Sequence, residues 1–228
     1  MSESNALAAV RPKEPGSIAM VRTLGGIALI SGALLALVYQ ATFNIIKQNK
    51  EKAVQEAVFT VIPGAQKQVA FELESGELKR IEGDPTGLPL VFAGFDGNGQ
   101  FLGVALDAGG QGYGDVIRVL YGYAPDKQQI IGLKVLESKE TPGLGDKIGK
   151  TPFLDNFAAM DVSLDDVKAA LGHPIELVKH GTKTQSWQID GISGATISSK
   201  AIAKMLQEST EKMLPVINKQ LDKLKEAK

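Results

Sequence analysis

From Thr23 to Ile46 the chain carries no charged side chain, and Leu24, Ile27, Leu29, Ile30, Leu34, Leu35, Leu37 and Val38 dominate the run. A helix rises about 1.5 Å per residue, so this stretch is long enough to cross a hydrocarbon core about 30 Å thick. A core helix of a soluble protein normally shows a polar face, and this one has none. A cleaved leader is the rival reading, with Ala41 as a small residue near a cleavage point. The run is longer than the about 7–15 apolar residues of a leader and begins well inside the chain, which favours a retained anchor. Gly25, Gly26, Gly32 and Ala33 offer small surfaces where another membrane helix can pack. Charge does not orient the span: Arg11, Lys13 and Arg22 precede it, and Lys47, Lys50 and Lys52 follow. The expected organisation is a tail over 1–22, one transmembrane helix over 23–46, a helical stalk over 47–64 ended by Pro63-Gly64, and one folded domain over 65–228.

Turn residues divide that domain into short apolar runs. Strands are expected at Gln66–Glu74 and Glu77–Ile81 around Ser75-Gly76, followed by a loop at Asp84–Gly87. Leu90–Phe95 and Phe101–Asp107 flank Gly97-Asn98-Gly99, and Asp115–Tyr123 and Gln129–Glu137 flank Ala124–Lys127. Successive hairpins imply an antiparallel sheet rather than a doubly wound parallel one. Helices are expected at Pro152–Met160, at Ser163–Leu171 with Ser163 and Asp166 marking its start, and from Thr196 onward with a break or kink at Pro215. Pro174–Val178 and Ser186–Ile189 are expected as strands that carry the chain back into the sheet, so the fold class is α+β. In the tail, Leu214, Ile217, Leu221 and Leu224 recur at helical spacing, fitting an amphipathic end that packs on its own domain or docks on a neighbouring protein of a complex.

Composition narrows the chemistry by exclusion. The net charge is -1, which makes no electrostatic case for nucleic acid, and there is no cysteine, which removes disulfides, thiolate-bound zinc and cysteine-ligated iron–sulfur clusters. Gly149-Lys150-Thr151 does not complete a phosphate-binding P-loop, because the required earlier glycine position holds Leu144. Gly109-Gly110-Gln111-Gly112-Tyr113-Gly114 precedes a strand, not a helix, and so fails as a dinucleotide fingerprint. His173 and His180 are too few and too separated to argue for a metal site, and Trp187, the single tryptophan, reads as a core residue.

Two stretches remain. Asp190-Gly191-Ile192-Ser193-Gly194-Ala195-Thr196 ends in a hydroxyl where a helix begins. Backbone N–H groups lack partners there, which suits either a capped helix start or an anion such as phosphate. Gly194 and Ala195 permit close approach of a bulky group. Glu140-Thr141-Pro142-Gly143-Leu144-Gly145 follows a strand with rigid backbone and small residues, which suits a surface turn or a planar ligand.

The first of these resembles the flavinylation motif of the FMN-binding domain family, and the second resembles that family's other signature, upstream as expected. With one N-terminal span ahead of both, the whole chain is similar to the G-subunit family of Rnf-type ion-translocating electron-transport complexes. That resemblance implies FMN held covalently by a phosphoester to Thr196, installed from FAD by a magnesium-dependent flavin transferase. Ser193, Ser199 and Lys200 are further candidates to meet the phosphate. Glu140, Thr141, Leu144 and Gly145 would line the flavin, and Asp190 would serve transferase recognition or orient the turn. It further implies a single-pass protein of the bacterial inner membrane, its tail cytoplasmic and its large domain periplasmic. The lipid bilayer and the membrane and peripheral subunits of the complex would be its partners, with no independent catalytic activity. The C subunit of the sodium-translocating NADH:quinone oxidoreductase shares the layout, and a non-redox, membrane-anchored assembly subunit is the other alternative.

Overall fold

The computed structural model describes residues 16–81, 90–165, 167 and 170–227. The loop expected at Asp84–Gly87 and residues 1–15 of the tail lie outside the described residues. Two compact units divide at Lys50 and Glu51.

In the first unit the chain is helical from Ser17, within the uninterrupted α1 (Ser17–Val61). Leu24, Leu29, Leu35 and Leu37 are all exposed. Among the described residues α1 is the one helix long and apolar enough to cross a membrane.

The second unit is built on a seven-stranded antiparallel sheet. Its strands are β1 (Lys67–Glu74), β2 (Glu77–Arg80), β3 (Leu90–Phe95), β4 (Phe101–Gln111), β5 (Val116–Ala124), β6 (Gln129–Glu137) and β7 (Met160–Asp161), in the order β2-β1-β3-β4-β5-β6-β7. Side chains alternate between the faces of a strand, and here both faces are covered. Val91, Ala93, Val104, Leu106, Val119 and Tyr121 pack on one side with Ile202, Leu206, Leu214 and Ile217 of α3 (Thr196–Lys219). Leu90, Phe92, Ala105 and Leu120 pack on the other with Ala57, Val58 and Val61 from the end of α1. Two-sided burial explains why β3 is buried at every position.

The end of α1 needs a groove, and glycines make it. Gly122 and Gly132 are paired across β5 and β6. A Cβ on Gly122 would collide with the Val61 carbonyl oxygen, and one on Gly132 would lie 2.8 Å from it. On the other face, Tyr121 Oη shares a 2.9 Å hydrogen bond with Ser209 Oγ, and Asn218 Nδ2 donates to Tyr123 Oη at 3.3 Å, fixing α3 against β5. Pro215 does not end α3. Leu214 and Ile217 on either side of it are fully buried against the sheet, and that packing offsets the lost backbone hydrogen bond. Leu224, in α4 (Leu221–Lys225), is also fully buried, so the amphipathic tail packs on its own domain.

Two expected helices differ from what folds. Only the start of Pro152–Met160 is helical, as α2 (Thr151–Leu154) and a 3-10 turn at Asp155–Phe157, because Met160 joins β7 opposite Ile130. The segment Ser163–Leu171 is not a helix: Leu164 bridges Leu171, and Gly172 N–H donates to the Ser163 carbonyl at 2.8 Å. Gln128, in the turn before β6, takes the donors where this segment begins: Val162 N–H, just ahead of it, donates to the Gln128 carbonyl at 3.0 Å, and Leu164 N–H to Gln128 Oε1 at 2.8 Å. Asp166, Lys168 and Ala169 of this segment lie outside the described residues.

Candidate cofactor site

Asp190 ends β9 (Gln188–Asp190), which runs parallel to β8 (Glu176–Val178) in a small second sheet; the two strands pair with each other and do not carry the chain back into the main sheet as expected. Buried Asn156 clamps its main chain: Asn156 Oδ1 accepts the Asp190 N–H at 2.8 Å, and Asn156 Nδ2 donates to the Asp190 carbonyl at 3.3 Å. The Asp190 carboxylate turns back, accepting the Gly181 N–H at 2.6 Å and meeting His180 Nδ1 at 3.1 Å. Its observed work is to brace the neighbouring turn. Lys183 reaches Asn156 Oδ1 at 3.2 Å, and burial lowers its pKa against the opposing pull of the Asp190 charge.

Beyond Asp190 the chain doubles over through Gly194, whose φ of +83° is a left-handed conformation that favours glycine. Ser199 holds this turn from within. Fully buried, its hydroxyl accepts the Ile192 N–H at 3.1 Å and donates to the Ala195 carbonyl at 3.0 Å, so it does not face outward toward a phosphate. The turn delivers Thr196 as the first residue of α3, preceded by Ala195 as N-cap with no side-chain capping bond. The threonine is therefore not a cap. It is exposed, beside the unpaired N–H groups of a long helix.

The second motif closes on the same place. Leu144 and Asp146 N–H groups both donate to the Thr141 carbonyl, at 3.2 and 3.3 Å, and Gly143 has a φ of +79°. The Lys150 hydrogen bond holds the Asp146 carboxyl below the usual carboxylate range. Glu140 is buried, accepting the Gly114 N–H at 3.0 Å on Oε1 and the Ser198 hydroxyl on Oε2. Glycines surround it: a Cβ on Gly112 would strike Oε1, and one on Gly145 would lie 2.6 Å from Oε2.

Between the motifs lies a cavity of about 540 Å³ lined by Tyr113, Glu140, Thr141, Leu144, Gly145 and the run Gly194–Ser198. That volume is within the about 300–1,000 Å³ of small-molecule and cofactor sites. Tyr113, Leu144 and Ile197 are large apolar side chains left exposed at it, 68%, 47% and 54% respectively. Apolar lips, a free hydroxyl and an uncapped helix start suit a planar ring carrying a phosphate. The residues present thus fit FMN.

Seven of the expected residues line this cavity: Glu140, Thr141, Leu144, Gly145, Gly194, Ala195 and Thr196. Asp190 and Ser193 line an adjacent hollow with Lys147, Lys150 and His180. Lys200 is exposed on the first turn of α3 and is not among the lining residues. Sequence reading missed Tyr113, Ile197 and Ser198. The signal for Tyr113 was the glycine cluster around it, read only as a failed dinucleotide fingerprint. Trp187 is half-buried and stacks on His173, with ring centroids 4.3 Å apart.

Comparison with known proteins agrees with this geometry. Residues 112–211 match the family model of the FMN-binding domain. The chain is 30% identical over 192 residues to the G subunit of the ion-translocating oxidoreductase complex of Methanosarcina acetivorans, covering 84% of this chain and 92% of that one. It is 26% identical to the G subunit of the proton-translocating ferredoxin:NAD(+) oxidoreductase complex of Clostridium ljungdahlii, covering 89% and 95%. Among solved structures it resembles NqrC of Shewanella oneidensis, with a TM-score of 0.59 at 21% identity over 78% of this chain and 99% of that one. The C subunit of the Na(+)-translocating NADH-quinone reductase of Parabacteroides distasonis matches with a TM-score of 0.56, also at 21% identity, over 79% and 96%. At that identity the likeness shows the fold alone.

Proposed function

This chain belongs to the G-subunit family of ion-translocating oxidoreductase complexes, and from that premise we propose that Thr196 carries FMN through a phosphoester and makes the chain an anchored electron carrier between neighbouring redox subunits. The chain is an FMN-binding subunit of such a complex, with one N-terminal helix long and apolar enough to span a membrane. The observation that carries the covalent reading is the position of Thr196: an exposed hydroxyl at the first residue of an uncapped helix, in the cavity that Glu140–Gly145 closes. Bound FMN supplies reversible electron transfer. The chain's own residues do the rest. The helix N-terminus favours the remaining phosphate charge by about 0.3–1 kcal/mol, Leu144 packs on the ring, and Glu140 holds the two motif loops together.

A tether suits a carrier whose affinity for its cofactor changes with redox state, because reduction then cannot release it. Attachment is the work of a flavin transferase that consumes FAD: the Thr196 hydroxyl oxygen bonds to the FMN phosphorus as the pyrophosphate P–O bond breaks, and AMP and the hydroxyl proton leave. The exposed apolar segment of α1 sits in the bilayer of the bacterial inner membrane, and the domain is periplasmic. The sequence relatives favour this family over the quinone reductase's C subunit, whose likeness is one of fold.

The test is direct. Protein made with a flavin transferase keeps flavin fluorescence on a denaturing gel, and mass spectrometry maps an FMN-sized addition to the peptide containing Thr196. Thr196→Ala abolishes both signals. A Thr196→Ala protein that holds flavin through denaturation would overturn the assignment, and a reporter fused after Lys228 that is active only in the cytoplasm would overturn the placement.

A further inference from the structure

We propose that Tyr113 is the aromatic wall of the flavin site, its phenol ring stacking on the isoalloxazine of the FMN attached at Thr196. The inference rests on the covalent FMN reading above. Of the cavity's lining residues Tyr113 has the one aromatic ring, and it stands 68% exposed at the lip. An exposed tyrosine is ordinary on a mobile loop, where it moves with solvent. This one sits on a turn that is locked.

The lock is the glycine cluster between β4 and β5. Gly112 N–H donates to the Asp115 carbonyl at 3.0 Å, and Gly114 N–H donates to Glu140 Oε1 at 3.0 Å. A Cβ on Gly112 would collide with that same Oε1, and one on Gly114 would lie 2.5 Å from the Lys139 carbonyl. Outside the corner, Lys139 pairs with Asp115 at 2.5 Å. Both glycines on either side of Tyr113 therefore press against Lys139 and Glu140, the segment between β6 and Thr141. The backbone that carries the tyrosine is fixed relative to the motif that receives the ring, and it holds a large apolar surface in solvent.

Leu144 and Ile197 offer only aliphatic contact at this cavity. A planar conjugated ring gains from an aromatic face as well, and a tyrosine gives its ring to that face while its hydroxyl stays in water. The tether at Thr196 keeps the flavin within reach of the same cavity, so Tyr113 meets it at high effective concentration.

The phenol also donates an electron to photoexcited flavin, so a stacked flavin is dark. The experiment compares wild type, Tyr113→Ala and Tyr113→Trp, each as the full chain in detergent and made with the transferase. Attachment is read as gel fluorescence after denaturation, and stacking as emission of the native protein. Equal gel signals are expected for all three. Native emission should rise in Tyr113→Ala as its unstacked-to-stacked ratio grows about 2- to 12-fold, the contribution of one aromatic pair, while Tyr113→Trp stays dark. Equal native emission from wild type and Tyr113→Ala at intact attachment would overturn the proposal. If denaturation strips flavin from wild type, the attachment reading has failed and the comparison moves to added FMN. There an unchanged Kd in Tyr113→Ala overturns the stack, and one weakened by the same factor supports it.

Discussion

Ser198 and Glu140, 58 residues apart in sequence, share a hydrogen bond in which the Ser198 hydroxyl donates to the carboxylate. This pair joins the two motifs of the cofactor site. Glu140→Ala would orphan both the Ser198 hydroxyl and the Gly114 N–H, and at about 1–3 kcal/mol for each buried unpaired group it should cost about 2–6 kcal/mol. Ser198→Ala should cost about 1–2 kcal/mol, and the double variant less than the sum, because the two share one interaction. Urea unfolding of the three variants measures the coupling. Strict additivity would show that the pair does not hold the motifs together.

Gly122→Ala should be more damaging than any surface change in this domain. The added methyl collides with the Val61 carbonyl oxygen, which belongs to backbone and cannot rotate away. The expected loss is about 3 kcal/mol or more. Gly76→Ala is the control: its φ is +87° with open space around it, so only left-handed strain of about 1–2 kcal/mol applies. Thermal melts of both variants give the comparison, and equal losses would remove the packing argument.

Asn156→Ala should loosen the turn that leads to Thr196 without touching the cavity. It removes the partner of the Asp190 N–H and carbonyl and of Lys183. A loss of about 2–3 kcal/mol is expected from the orphaned buried groups. Slower flavin attachment, followed as gel fluorescence against time of incubation with transferase and FAD, is the specific readout. Unchanged kinetics would mean that the clamp serves stability alone.

Asp161 gives the domain a stability component that acid removes. Burial alone would raise its carboxyl, but hydrogen bonds from Ser163 N–H and hydroxyl and from His173 outweigh it and hold the pKa below the ordinary 3.8. The unfolded chain then binds the proton first as pH falls. The contribution is full above the unfolded value and fades as pH drops through the folded one. Because the group is partly exposed, solvent screens the interaction and its size should be under about 1 kcal/mol. Asp161→Asn should therefore unfold at lower urea than wild type at neutral pH and match it at about pH 2. A gap that persists in acid would assign the effect to something other than this ionisation.

Much of the fold was legible because its signals are local. The hairpins around Gly97-Asn98-Gly99 and Ala124–Lys127 announce themselves by turn chemistry, and each expected strand from Gln66 to Glu137 lies within a residue or a few of the observed one. Ser163–Leu171 failed for the complementary reason. Its helix-start pattern is real, but Gln128 is nearer in space than a next helical turn, and the backbone donors go to it. Pro215 likewise reads as a break locally and is overruled by the burial of Leu214 and Ile217.

What the chain determines by itself is whatever one segment can express alone: an uncharged run with only membrane-like surroundings to suit it, alternating strands, and two motifs of small residues, one of them ending in a threonine. Tertiary structure alone decided that those motifs face each other across one cavity. Nothing in a local pattern states that Ser198 would reach Glu140, that Ser199 would turn inward while Thr196 stays free, or that Gly112 and Gly114 are small because a carboxylate and a carbonyl press against them. Those relations depend on how far α3 and the loop after β6 travel before they meet, and only the packed sheet between them sets that distance.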